Sequence, residues 1–271
     1  MNYRRVLVVA KTDLKQLLQA RDFWVPMVVL GAMFFVVTPL TLLTTLTSVD
    51  SNDTLSKVSQ TLDLLPASAK SQLLGDTPAG QTGYALAVYL LAPMAVIVPL
   101  TISTAIGAAT IVGEREKGTG EFLAHSPVGT KEIFVGKLLA SIVPGYLTAL
   151  GGFGLYSLVV NLTVGAEIGA WFFPTMQWWV LIIWTLPPFL AICLSLVLRL
   201  SARVSSTAAA QQASGLVSLP LIGIAYGQAS GALFGGINTS ITAGAVAWVV
   251  AIFALRHGMA SVERTRLLGV A

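Results

Sequence analysis

From Val204 to Leu255 the chain carries no Asp, Glu, Lys or Arg, and nothing charged occurs between Asp22 and Asp50. A helix of about 20 apolar residues crosses the hydrocarbon core of a bilayer. The first of these stretches therefore has room for two crossings and a tight connection, and the second for one tilted crossing. Comparable apolar runs lie within Tyr84 to Val112, Ile133 to Leu162 and Trp178 to Leu198. Hydrophobic residues make up 55% of the chain, charged residues only 10%, and the mean hydropathy is +0.80. Soluble globular domains do not have this balance. The chain is read as an all-α, polytopic membrane protein with six transmembrane helices, at about 23–46, 84–112, 133–162, 178–198, 207–226 and 239–255. They form a single transmembrane domain over residues 1–271.

Residues 2–22 precede the first span. Tyr3, Leu7, Ala10, Leu14 and Leu18 recur at helical spacing, with Val6 and Leu17 beside them, while Arg4, Arg5, Lys11, Lys15 and Arg21 lie largely off that stripe. Two readings fit: an amphipathic helix in the membrane interface with its cations near anionic headgroups, or a helix packed on a partner. The immediate join to a span at Phe23 favours the interfacial one. The first apolar run is too long, and begins too late, for the core of a secretory leader. Pro26 is expected in the first turn of span one, where its missing N–H matters little, and Pro39 deeper, where it should kink the helix.

The polar stretch 49–83 is assigned to an external loop, in which Leu55, Val58, Leu62 and Leu65 predict a short amphipathic helix ending before Pro66. Span two contains Pro93 and Pro99 and should bend, leaving carbonyls that need partners. Lys137, one turn into span three, is close enough to the helix end to snorkel to the interface. Trp171, Trp178 and Trp179 cluster at the outer end of span four, as an interfacial aromatic belt would. Gly223, Gly227, Gly231 and Gly235 recur every fourth residue. That spacing suits either a helix-packing face or a re-entrant turn without a packing role.

Of the sixteen Lys and Arg residues, all but Lys57 and Lys70 fall in the N-terminal segment, the stretch 113–137, the turn around Arg199 and Arg203, and the C-terminal tail. The positive-inside rule then places both termini in the cytoplasm, consistent with six crossings. The same crowding explains the net charge of +4 without nucleic acid. The single cysteine, Cys193, excludes a disulfide within the chain. No G-x-x-x-x-G-K-[ST] occurs, so ATP is not cradled here in the usual way. His125 and His257 are both expected at the cytoplasmic edge, which argues against haem held between helices. Neither H-E-x-x-H nor a pair of intramembrane carboxylates is present. Ion-coupled carriers usually keep a charge within their spans; here the span interiors hold essentially none, so energy for uphill transport must come from outside the chain.

The exception to this sparse charge is the segment from Gly113 to Lys137, with Glu114, Arg115, Glu116, Lys117, Glu121, Lys131 and Glu132 between two spans. Gly118 can interrupt the continuation of span two, and the Thr119 hydroxyl can cap a short new helix. Glu121 then lies in that helix's first turn, where a carboxylate suits the dipole. Ser126 and Pro127 would end it, and Thr130 would cap span three. A short cytoplasmic helix joined to two spans is a lever.

The residues Gly113-Glu114-Arg115-Glu116-Lys117-Gly118-Thr119, followed by Glu121, Leu123, Pro127-Val128 and Gly136-Lys137, resemble the loop between spans two and three of ABC-2 type transporter permeases. Gly120 and Ala124 depart from that pattern, where leucines are usual. The motif covers about a tenth of the chain, and the six-span layout with its N-terminal amphipathic helix extends the likeness to the whole of it. The resemblance implies a type V exporter-like architecture and a coupling loop over 113–132. In that loop Glu114, Arg115, Glu116, Gly118, Thr119, Glu121, Phe122, Leu123 and Pro127 would contact a separate ABC ATPase subunit. It also implies a second permease chain, identical or paralogous, and ATP with Mg2+ on the ATPase rather than here. The setting would be a prokaryotic plasma membrane, and the cargo a hydrophobic or amphipathic compound. No cofactor, metal or nucleic acid is expected on this chain. A membrane anchor and a charge-free channel are the alternatives.

Overall fold

The computed structural model describes residues 1–48, 73–116, 125–201 and 237–261, together with positions 209, 212, 215, 219 and 223. Among the described residues all regular structure is helical. Helix α1 is Tyr3–Gln19; α2 (Arg21–Ala32) and α3 (Thr38–Ser48) form the first long apolar rod. Helices α4 (Pro78–Ala85) and α5 (Met94–Glu116) form the second, α6 (Thr130–Ile168) the third, and α7 (Met176–Trp179) with α8 (Leu186–Ser201) the fourth. Helix α9 is Ile237–Ser261.

Among the described residues, five helical stretches are long and apolar enough to cross a membrane: Trp24–Thr45, Ala79–Val112, Thr130–Ile168, Met176–Ser201 and Ser240–Met259. The expected span at 207–226 lies outside the described residues apart from 209, 212, 215, 219 and 223, each of which is helical. The helix expected near 55–65 also lies outside them. Helix α2 starts at Arg21, so Pro26 is inside the helix and not in its first turn. Helix α6 runs past the expected 162 to Ile168 and takes Glu167 with it. It stops at Gly169, whose φ of +76° is the left-handed conformation that glycine adopts without strain and whose N–H reaches the Gly165 carbonyl.

Prolines shape three of the rods. Each of the wide π turns, at Met33–Val37, Leu86–Leu90 and Val180–Thr185, lies just N-terminal to a proline: Pro39, Pro93 and Pro187. A proline cannot donate to the carbonyl four residues back, and its ring presses on that carbonyl. Widening the preceding turn to an i→i+5 pattern relieves the clash, as in Thr38 N–H to Met33 O and Leu91 N–H to Leu86 O. At Pro39, where a kink is expected, the helix carries this π turn. At Pro93 the helix breaks outright over 91–93 before α5 begins. Pro99 and Pro144 sit inside α5 and α6 without a π turn beside them.

Helix α6 is the mast of the bundle, packed by α1, α3, α5 and α8. Three glycines make the close approaches possible. A Cβ on Gly136 would lie 2.7 Å from Val9 of α1, and one on Gly145 would meet Ser103 and stand 2.7 Å from the Pro99 carbonyl of α5. A Cβ on Gly152 would run into the ring of Phe35. Small residues of this kind let helix backbones pack tightly where lipid supplies no hydrophobic drive. The π turn of the fourth rod and α9 are joined similarly: Trp184 sits over Gly244, its Nε1 donates to Ile241 O at 3.0 Å, and Trp248 Nε1 donates to Trp184 O at 3.2 Å.

Candidate functional site

The charged segment is framed by helices α5 and α6. Helix α5 continues through Glu114, Arg115 and Glu116, so these three extend the second rod as part of its last turn. Gly118, Thr119, Glu121, Phe122 and Leu123 lie outside the described residues. His125–Pro127 form a turn, and α6 begins at Thr130. Anything that grips the segment therefore acts on both rods.

The start of α6 is capped differently from expectation. Gly129, not Thr130, is the N-cap, and the Glu132 side chain reaches back so that its Oε2 accepts the Gly129 N–H at 3.0 Å. This is the carboxylate half of a capping box. The other oxygen, Oε1, accepts the Asn2 N–H at 2.6 Å, while Asn2 Oδ1 caps α1 by accepting the Arg4 N–H at 3.0 Å. Glu132 thus takes the N-cap amides of two helices 130 residues apart. Arg5 Nη1 donates to the Pro127 carbonyl at 2.6 Å and stands 3.9 Å from Glu132 Oε2. Of the predicted contact residues, Pro127 is placed exposed at this junction.

One turn further along α6 the structure overturns an expectation. Lys137 does not snorkel: it is 1% exposed. Its Nζ donates to the Thr110 carbonyl of α5 at 2.6 Å and stands 3.5 Å from Asp13 Oδ2 of α1, itself buried. The Ser141 hydroxyl donates to the Lys137 carbonyl at 2.8 Å. Desolvating a lone ammonium costs several kcal/mol, about as much as its partners return. The lysine is therefore kept in place by Asp13 and by the α5 carbonyl.

Helix α1 turns Val6, Val9, Ala10 and Asp13 inward against α6. Tyr3, Leu7 and Leu18 of the expected apolar stripe are exposed on the adjoining face, with Arg4, Lys11 and Lys15 exposed beyond them. The helix thus has a protein face in addition to the apolar and basic ones.

At the opposite end of the bundle a second polar arrangement secures the break in span two. Tyr156 Oη donates to Ala87 O at 2.6 Å and Trp178 Nε1 to Val88 O at 3.0 Å, supplying partners to carbonyls in the π turn before Pro93. Asn161 holds the loop after α6: Oδ1 accepts the Phe172 and Phe173 N–H groups, and Nδ2 donates to Phe173 O at 2.6 Å. Phe153, Tyr156, Phe173 and Trp178 pack ring on ring around it. Trp178 is 2% exposed, so it belongs to this core and not to an interfacial belt, whereas Trp171 and Trp179 are exposed.

Gly223 is helical, and a Cβ there would meet nothing within 4 Å. Gly227, Gly231 and Gly235 lie outside the described residues. No group of three or more His, Cys, Asp and Glu that could hold a metal occurs among the described residues. Asp13, Glu132 and Lys137 were not foreseen as a linked set. The one legible signal was the Gly129-x-x-Glu132 spacing of a capping box.

No curated protein matches the chain. The family model for the ABC-2 family transporter protein matches residues 7–242, from α1 into α9. The apolar rods, the charged link between the second and third, and this match together make the chain an integral membrane protein that belongs to the ABC-2 transporter permeases, the membrane components of ABC transporters.

Proposed function

We propose that this chain is the permease of an ATP-driven exporter for a hydrophobic or amphipathic compound, working as a pair with a second copy or a paralogue. The observation that carries the reading is the continuity of the charged segment with α5 on one side and α6 on the other. An ATPase subunit gripping Glu114, Arg115, Glu116, Gly118, Thr119, Glu121, Phe122, Leu123 and Pro127 would move both helices as rigid bodies. ATP and Mg2+ would reside on that subunit. The near absence of charge from the apolar rods supports a path formed between two permease chains, because these helices offer little to line a polar pore. A sixth span over 207–226 and an interfacial position for α1 complete the layout, with both termini cytoplasmic, in a prokaryotic plasma membrane. The basic face of α1 and its exposed Tyr3, Leu7 and Leu18 support that position.

Gentle-detergent purification of the tagged chain from its native host tests the reading. It predicts a co-purifying ATPase in equal amount, with an association weakened by Glu121→Arg. A chain that purifies alone, with no nucleotide dependence, would leave the anchor or the channel as the better description.

A further inference from the structure

The buried charges of α1 and α6 sit where α1, α5 and α6 meet. Lys137 joins three helices through Asp13 of α1 and the Thr110 carbonyl of α5. Those last two partners flank α6, and α5 and α6 are the helices that frame the charged segment. At the other end of α1, Glu132 holds the Asn2 amide and Arg5 holds the Pro127 carbonyl, the last being within the segment itself. Between these two anchor points Val9 lies against Gly136, so closely that any side chain there would collide. Helix α1 is thus fastened to the base of α6 at its N-terminus and again at Asp13, and pressed against it in between.

We propose that Asp13 and Lys137 are positioning residues for coupling: they lock α1 to the second and third rods, so that α1 travels with the charged segment as one lever. The inference rests on the permease reading above and adds to it the moving part. A helix held only by apolar contact can slide or rotate by an ångström or two when its neighbour is pushed. A buried ion pair resists such sliding because separating the charges loses their mutual attraction while both stay desolvated. Motion imposed on the segment would therefore reach Tyr3, Leu7 and Leu18, which α1 exposes.

The test uses the purified permease–ATPase complex in liposomes, with spin labels on Thr12→Cys of α1 and Leu147→Cys of α6. Both positions are exposed, and the native Cys193 is buried. The label separation is measured without nucleotide and after trapping with ATP, Mg2+ and vanadate. The lever predicts one separation in both states, unchanged within about 2 Å, the scale of ordinary interfacial helix shifts. Asp13→Asn should keep that separation without nucleotide and lose it, by a shift or a broadened distribution, on trapping. A purely structural pair would instead change both states alike. Where Asp13→Asn does not fold, Asp13→Leu/Lys137→Met replaces the pair by apolar groups and carries the same expectation. A larger change in the unsubstituted pair on trapping, or a variant that matches it in both states, overturns the lever. A preparation with no ATPase bound overturns the permease reading instead, which keeps the two failures apart.

Discussion

Lys137→Met leaves Asp13 buried without its cation. In the intact chain the Lys137 ammonium is 1% exposed, 3.5 Å from the carboxylate and 2.6 Å from the Thr110 carbonyl, so neither charge can fall back on water. Removing one partner of a buried pair costs roughly 3–5 kcal/mol, most of it the penalty of the orphaned charge. Asp13→Leu should cost less, because the lysine loses its carboxylate but keeps the Thr110 carbonyl and a flexible stem. The double variant Asp13→Leu/Lys137→Met removes both charges and keeps apolar volume, and is expected to recover to within about 1 kcal/mol of the parent. The coupling energy of the cycle should thus be several kcal/mol. Reversible unfolding in mixed micelles with increasing SDS would measure it. Single substitutions each below about 1 kcal/mol, adding without coupling, would refute the claim that the pair is desolvated.

Two further predictions follow from the packing. Gly145→Ala should destabilise by roughly 1–3 kcal/mol, because its Cβ meets Ser103 and the Pro99 carbonyl; Gly154→Ala, with nothing within 4 Å, should be neutral or stabilising in the same SDS assay. Tyr156→Phe removes the donor to Ala87 O and should lose about 1–3 kcal/mol, more than Tyr3→Phe at an exposed ring.

The class of fold is legible because charge-free length is a local property of the sequence, and a bilayer imposes its own scale on it. The bend at Pro93 is legible for the same reason: a missing N–H is a fact about one residue. What satisfies the freed carbonyls is not, since Tyr156 and Trp178 stand 69 and 90 positions from their acceptors. Lys137 shows the same limit. One turn into an apolar helix, a lysine can snorkel or pair, and the choice rests on Asp13 in another helix. Trp178 reads as a belt residue beside Trp171 and Trp179 until the break in span two supplies an acceptor for its indole. Thr130 is a better N-cap type than Gly129, but Glu132, three residues beyond the glycine, holds the cap one position earlier. Periodicity on α1 marks Tyr3, Leu7 and Leu18 as apolar without distinguishing them from Val6 and Ala10, which face protein.

The central claim is that the charged segment grips an ATPase, and a photo-crosslinking amino acid at Phe122 tests it most directly. Irradiation of cells should join the chain to an ATP-binding subunit from that position, and not from the exposed Trp171 at the other end of α6. No adduct from Phe122, or the same adduct from both positions, would contradict the account.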